Sequence, residues 1–133
     1  MNADDRRSIR YPLGLRCAFR LHEIVMEPAA GTIRDVSRQG CSLETGDDLG
    51  KPTEMVEIHF ATPPGAPAGI VVGEVVQRQK TPLGWTLGIA FRNADPAVKW
   101  ELLDMAYRHW QDRLAAAADD EAAAIAGAPL QSP

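Results

Sequence analysis

Two short stretches carry most of the chemistry this chain could offer: Arg6-Arg7-Ser8-Ile9-Arg10 and Asp35-Val36-Ser37-Arg38-Gln39-Gly40. An arginine guanidinium is a planar fork that makes two parallel charge-assisted hydrogen bonds to a phosphate, and its flat face stacks on a purine. In an extended or turning segment Arg6 and Arg10 are far enough apart to grip different parts of one ligand, with Arg7 between them. The second stretch adds a carboxylate, Asp35, that can accept from the N1–H and N2 amino groups of guanine. Its hydroxyl, Ser37, suits a phosphate or a base edge, and Gly40 supplies the backbone freedom a tight return demands. Each stretch also has a plainer reading, a solvated basic arm in one case and an ordinary β-turn at a strand end in the other. Together they suit one anionic, guanine-bearing ligand.

The elements that must position these residues are short and mostly alternating. The first dozen residues are polar and arginine-rich and end at Tyr11-Pro12, which reads as an arm, residues 1–12, leading into a strand. From Leu13 the apolar residues Leu13, Leu15, Cys17, Phe19 and Leu21 fall on one face. Thr32 to Val36 predicts a second strand running into the motif, and Cys41 to Thr45 resumes the alternation. Val56, Ile58 and Phe60 mark a fourth strand, Ile70 to Gln77 a fifth, and Trp85 to Arg92 a sixth, with a turn around Thr81-Pro82-Leu83-Gly84. Such a series of hairpin-connectable strands predicts a small antiparallel barrel, which leaves no sheet edge exposed.

Asp95-Pro96 predicts a helix start, a capping side chain followed by proline at the first helical position. The helix should run to about Leu114, with Val98, Leu102 and Met105 in one apolar line and Trp100, Leu103, Tyr107, Trp110 and Leu114 in another. Residues 13–114 thus form barrel plus helix, and the alanine-rich tail, residues 115–133, is expected to fray or be disordered.

Composition removes several function classes. At 133 residues the chain fits one domain able to bury a core without metal or disulfide staples. A net charge of −4 argues against a coat for nucleic acid, which needs a basic surface to displace counterions from phosphates. Arginines nevertheless crowd the first third, so a small anion can bind there while the whole remains acidic. Cys17 and Cys41 sit in alternating runs as reduced, buried thiols and lack zinc-ligand spacing. His22, His59 and His109 are scattered, with no serine or cysteine visibly paired to a base, so an enzyme is not expected. The N-terminus has no apolar leader and no stretch is long enough to span a membrane, which predicts a cytoplasmic protein with no membrane insertion.

With both motifs in this order, a strand and turn between them and barrel strands after them, the chain resembles the PilZ domain, the bacterial receptor module for cyclic di-GMP. The resemblance covers roughly Asp5 to Tyr107 and includes Leu87 to Phe91, where the family also tends to carry a glycine, here Gly88. It implies an all-β fold, a six-stranded antiparallel barrel with a C-terminal helix, whose arginine arm folds over cyclic di-GMP and on binding changes conformation to regulate an unidentified protein effector. By position, Arg6 and Arg10 would contact phosphates and guanine edges, Arg10 or Arg7 would stack on a base, Asp35 and Ser37 would hold the guanine, and Gly40 would shape the turn. Arg38 and Gly88 are further candidates; no cofactor and no metal are implied. Asp5, just before the arginines, occupies the position that in this family influences whether one ligand or an intercalated pair binds, and its charge, which repels an added phosphate, favours a single ligand or a weakened affinity. The alternative is a PilZ-fold adaptor that binds only protein, through Trp100, Tyr107 and Trp110, although ordinary packing of helix on barrel is the better explanation of those aromatics.

Overall fold

The alternating runs fold as β1 (Tyr11–Leu21), β2 (Ala29–Val36), β3 (Gly40–Thr45), β4 (Met55–Phe60), β5 (Gly69–Thr81) and β6 (Gly84–Phe91), followed by α1 (Pro96–Gln131). The computed structural model describes residues 9–92 and 95–131, with side chains as far as Asp120. All pairings are antiparallel, in the order β1-β2-β3-β6-β5-β4, and β4 returns to β1 to close the barrel. Closure gives every strand two neighbours and abolishes free edges. The expected six-stranded antiparallel barrel with a C-terminal helix is therefore the observed one.

Period-two alternation sorts side chains between the two sides of the wall. Phe19, Ile33, Leu43, Ile58, Val75 and Leu87 are fully buried inside. Val56 and Ile58 are completely enclosed and Phe60 nearly so, as their alternation implied. Cys41 belongs to this core as a free thiol, and burial pushes its ionisation far above the usual range; Cys17, half-buried, is pushed up to about 11 by the same loss of solvation.

Two boundaries differ from the sequence reading. The arm was expected to extend through Pro12, but β1 begins at Tyr11. Proline is admitted because the β1–β2 register is irregular between Pro12 and Leu15, and a bulge does not need every ladder amide. The helix was expected to end near Leu114 with a fraying tail beyond, yet α1 continues to Gln131. Alanine has the highest helix propensity of all residues, and Gly127 and Pro129 come too late to stop it earlier.

The start of α1 is as expected: Ala97 N–H donates to Asp95 Oδ1 at 2.9 Å, and Lys99 N–H donates to the Asp95 carbonyl at 3.0 Å. Val98, Leu102, Leu103 and Ala106 are buried in the same core as Leu13, Val36 and Phe91. The aromatic line divides. Tyr107 and Trp110 gather around Tyr11 with ring centroids 5.8 Å from it, whereas Trp100 is 68% exposed.

The closing seam between β4 and β1 holds a polar cluster that the sequence did not reveal. Arg20 faces Glu57 across the seam, and Ala18 faces His59. Glu57 accepts from Arg20 Nε at 3.1 Å, and its two oxygens lie 2.7 Å from His22 Nδ1 and 3.1 Å from His59 Nε2. Two histidines that look scattered in the chain thus converge on one carboxylate. Hydrogen bonding to His59, then to His22, holds the Glu57 carboxyl at about 2, below its usual 4.5, with Arg20 adding to the same effect against the opposing cost of burial.

A carboxyl whose folded value is depressed stabilises the fold fully above its unfolded value and loses that contribution as pH falls through the folded one. Glu57 should therefore stabilise the barrel above about pH 4.5 and cease to do so near pH 2. Urea midpoints for the wild-type chain and Glu57→Gln are expected to differ near neutral pH and to converge as acid is added. A gap that stays constant across that range would show that the seam does not depend on this ionisation.

Candidate functional site

The site is assembled where β1 begins and β2 ends. Val36 is buried and Asp35, one residue earlier, lies on the outer side of the wall by the alternation of the strand. Tyr11 pairs with Val36 and Pro12 with Asp35, so Arg10 emerges beside the Asp35 carboxylate. Arg10 Nη1 donates to Asp35 Oδ1 at 2.7 Å, with 55% and 30% of the two side chains exposed. Asp35 Oδ2 has no hydrogen bond among the described residues. Arg6 and Arg7, together with Asp5, lie outside the described residues.

The β2–β3 turn is fixed from within. Ser37 N–H donates to the Gly40 carbonyl at 2.8 Å, and Gln39 N–H donates to Ser37 Oγ at 3.2 Å. Ser37 is only 2% exposed, so its hydroxyl serves the turn and is closed to solvent in this arrangement. The turn is tied to the barrel by Phe91 N–H donating to the Gln39 carbonyl at 2.8 Å. Gly40 is buried here for a reason different from the one its spacing suggested. Its φ is not positive; instead a Cβ would overlap the carbonyl of Ile89 on β6. Glycine is required by the close approach of two backbones.

Strand register places further groups beside Asp35. Asp35 pairs with Ser42, Ser42 with Gly88, and Gly88 with Gln77, forming one row across β2, β3, β6 and β5. Ser42 and Gly88 are half-buried and Gln77 is exposed, so the row lies on the outer wall. A Cβ at Gly88 would come within 3.2 Å of Gln77 Cβ, and its absence keeps the wall low at that point. Ser42 and Gln77 were not singled out from sequence. The only signal that identifies them is pairing register, which a single chain does not display.

Arg38 stands exposed at the tip of the turn and faces α1. Beside it opens a groove of about 300 Å3 bounded by Tyr11, Trp100, Leu103, Asp104 and Tyr107. The structure thus brings together Arg10, Asp35 and the turn bearing Arg38, places Gly88 two strands away on the same wall, and directs Ser37 and Gly40 to structural roles. Among the described residues no group of three or more histidine, cysteine, aspartate or glutamate side chains could hold a metal ion.

The family model of the PilZ domain matches residues 4–108 of the chain. No curated protein matches it in sequence. Among solved structures, the inhibitor of motility MotI/DgrA from Bacillus subtilis is similar with a TM-score of 0.61 at 13% identity, over 80% of this chain and 52% of that one. This chain therefore spans about half the length of that protein. The PilZ domain of YcgR from Escherichia coli, solved with c-di-GMP, is similar with a TM-score of 0.55 at 15% identity, over 86% of this chain and 97% of that one. The PilZ domain of CeSA from a cellulose-synthesizing bacterium gives a TM-score of 0.55 at 12% identity, over 75% and 96% of the two chains. At such identities the likeness is one of fold.

The tight approach at Gly40 has a measurable consequence. Gly40→Ala forces the β2–β3 turn away from β6 and is expected to destabilise the chain by about 1 to 3 kcal/mol, the usual range for overpacking. Gly14→Ala, where a Cβ meets nothing within 4 Å, should stay within about 0.5 kcal/mol of wild type. Thermal and urea unfolding of both variants provide the comparison; equal stabilities would remove the packing explanation for Gly40.

Proposed function

Because this chain belongs to the PilZ domain family, we propose that it is a non-catalytic receptor for cyclic di-GMP that holds the dinucleotide between the Arg6–Arg10 arm and the Asp35–Gly40 turn. PilZ domains are regulatory binding domains, and the YcgR domain similar to this chain was solved with c-di-GMP. The observation that carries the reading to these residues is the 2.7 Å contact between Arg10 and Asp35. Two motifs separated by a whole strand and turn are in touch, so one ligand can engage both.

The chemistry follows from what each side chain can offer. Asp35 presents one oxygen to Arg10 and keeps the other for the N1–H and N2 amino edge of guanine. Arg10, released from that pair, supplies a fork to phosphate, and Arg6 and Arg7 add their charge from the arm. The low wall at Gly88, with Ser42 beside it, gives the ligand a floor. Ser37 acts through the shape of the turn it builds.

Magnitudes decide whether the existing ion pair obstructs binding. An exposed pair contributes about 0 to 1 kcal/mol, whereas a hydrogen bond to a charged group contributes about 1.5 to 3 kcal/mol. Exchanging Arg10–Asp35 for contacts to phosphate and guanine therefore favours the ligand. The arm orders over the dinucleotide and presents an altered surface to a protein effector. Since the ligand is a second messenger, the reading carries a cytoplasmic location with it. Among the described residues no helix is long and apolar enough to cross a membrane.

A protein-only adaptor is the second reading, favoured by the exposure of Trp100, Tyr107 and Leu114 along α1. Calorimetric titration separates the two. Cyclic di-GMP should bind in preference to GTP and cyclic di-AMP, and Arg10→Ala should reduce its affinity roughly tenfold or more. Equal affinity of wild type and Arg10→Ala counts against the receptor reading at these residues. No binding by wild type, with retention of a protein partner, favours the adaptor.

A further inference from the structure

The groove between the β2–β3 turn and α1 has the chemistry of a base-binding pocket. One side is aromatic: Trp100, 68% exposed, and Tyr107, with Tyr11 packed edge-on against the Tyr107 ring. Leu103, Arg38 and Asp104 complete the lining, the last two as a cation and an anion. Trp100, Leu103 and Arg38 also bound an adjoining hollow of about 140 Å3 that adds Lys99, whose ammonium lies 5.9 Å from the Phe91 ring. The hollows that share Trp100, Leu103 and Arg38 thus add a carboxylate, Asp104, in the larger and a second cation, Lys99, in the smaller.

That arrangement repeats, with different residues, the donor and acceptor logic at Asp35. Asp104 is bonded to Arg108 through Oδ2 at 3.0 Å, an exposed pair within the helix, and its other oxygen carries no hydrogen bond among the described residues. A carboxylate beside an aromatic face distinguishes guanine, whose N1–H and N2 amino group both donate, from adenine, whose N1 accepts and whose C2 carries no amino group. The groove volume of about 300 Å3 lies at the lower end of ligand pockets, about 300 to 1,000 Å3, and suits one base rather than a whole dinucleotide. It is also within reach: Arg38 follows Asp35 by three residues, at most about 10 Å of chain, and Tyr11 adjoins Arg10.

We infer that this groove is a second guanine subsite, in which Trp100 stacks on the far base of cyclic di-GMP, Asp104 reads its edge, and Arg38 and Lys99 face the phosphates. The inference rests on the receptor reading above and extends it from one base to both. It makes α1 part of the ligand site as well as the lid of the barrel core.

The test uses the full chain and calorimetric titration with cyclic di-GMP and with cyclic GMP-AMP, in which one guanine is replaced by adenine. Trp100→Ala should bind cyclic di-GMP about tenfold more weakly, the loss expected of one base–aromatic stack. Asp104→Asn should lose much of the wild-type preference for cyclic di-GMP over cyclic GMP-AMP. Quenching of tryptophan fluorescence by ligand should be largely lost in Trp100→Phe. Both substituted residues are substantially solvent-accessible, so the variants should fold, which their circular dichroism spectra check. If Arg10→Ala loses affinity while Trp100→Ala and Asp104→Asn match wild type, the second subsite is overturned and the receptor reading stands. A concentration-dependent dimer that Trp100→Ala abolishes without loss of ligand affinity assigns the face to a second copy and also overturns it. A wild-type chain that binds no cyclic di-GMP overturns both readings.

Discussion

Antiparallel pairing of Tyr11 with Val36 is the constraint on which the arrangement of this molecule turns. It joins the first residues of β1 to the last residues of β2, so that Arg10, just outside one strand, reaches Asp35, just inside the end of the other. Val36 sends its side chain into the core, and by strand alternation Asp35 must then face outward. The same pairing brings Tyr11 under α1, where it meets Tyr107 and Trp110. A slip of one residue would reverse the faces, burying the carboxylate and exposing the valine. Core burial and site geometry are thus fixed by a single register.

The turn after β2 shows how structural and chemical demands divide among neighbouring residues. Ser37 and Gly40 are committed to the turn, one through its hydroxyl and amide, the other by yielding space to the Ile89 carbonyl. Asp35 and Arg38 on either side keep charged side chains in reach of solvent, the first half-buried and the second exposed. Rigidity at the centre of the motif and accessibility at its edges are complementary, because a charged group recognises a ligand best when its backbone is already held in place. The hydrogen bond from Phe91 N–H to the Gln39 carbonyl extends that support to β6 and hence to the whole barrel.

Helix α1 completes the enclosure of the core at the end where the candidate site lies. Its buried residues, Val98, Leu102 and Ala106, seal the apolar interior near Val36 and Phe91, and its flank beyond Leu103 leaves Trp100 and Leu114 in solvent. The distant seam between β1 and β4 has a different character: there Arg20, His22 and His59 all turn towards Glu57, and the polar groups satisfy one another. One part of the wall is internally paired, and the other retains groups open to a ligand.

Much of this was legible in the chain alone. Alternating apolar residues determined six strands and which side of each faces the core, because a pleated strand has a period of two. Asp95-Pro96 determined where the helix starts, and the chemistry of arginine and aspartate singled out Arg10 and Asp35. What the chain could not display was pairing across strands. Only strand pairing set Ser42, Gly88 and Gln77 in a row with Asp35, only closure of the barrel gathered His22 and His59 around Glu57, and only the docking of α1 placed Trp100 beside Arg38. It also gave Gly40 its actual purpose, a contact with Ile89 that lies far along the sequence. Local preferences act between residues close in the chain, while these arrangements depend on register and burial between segments that meet only when the sheet closes.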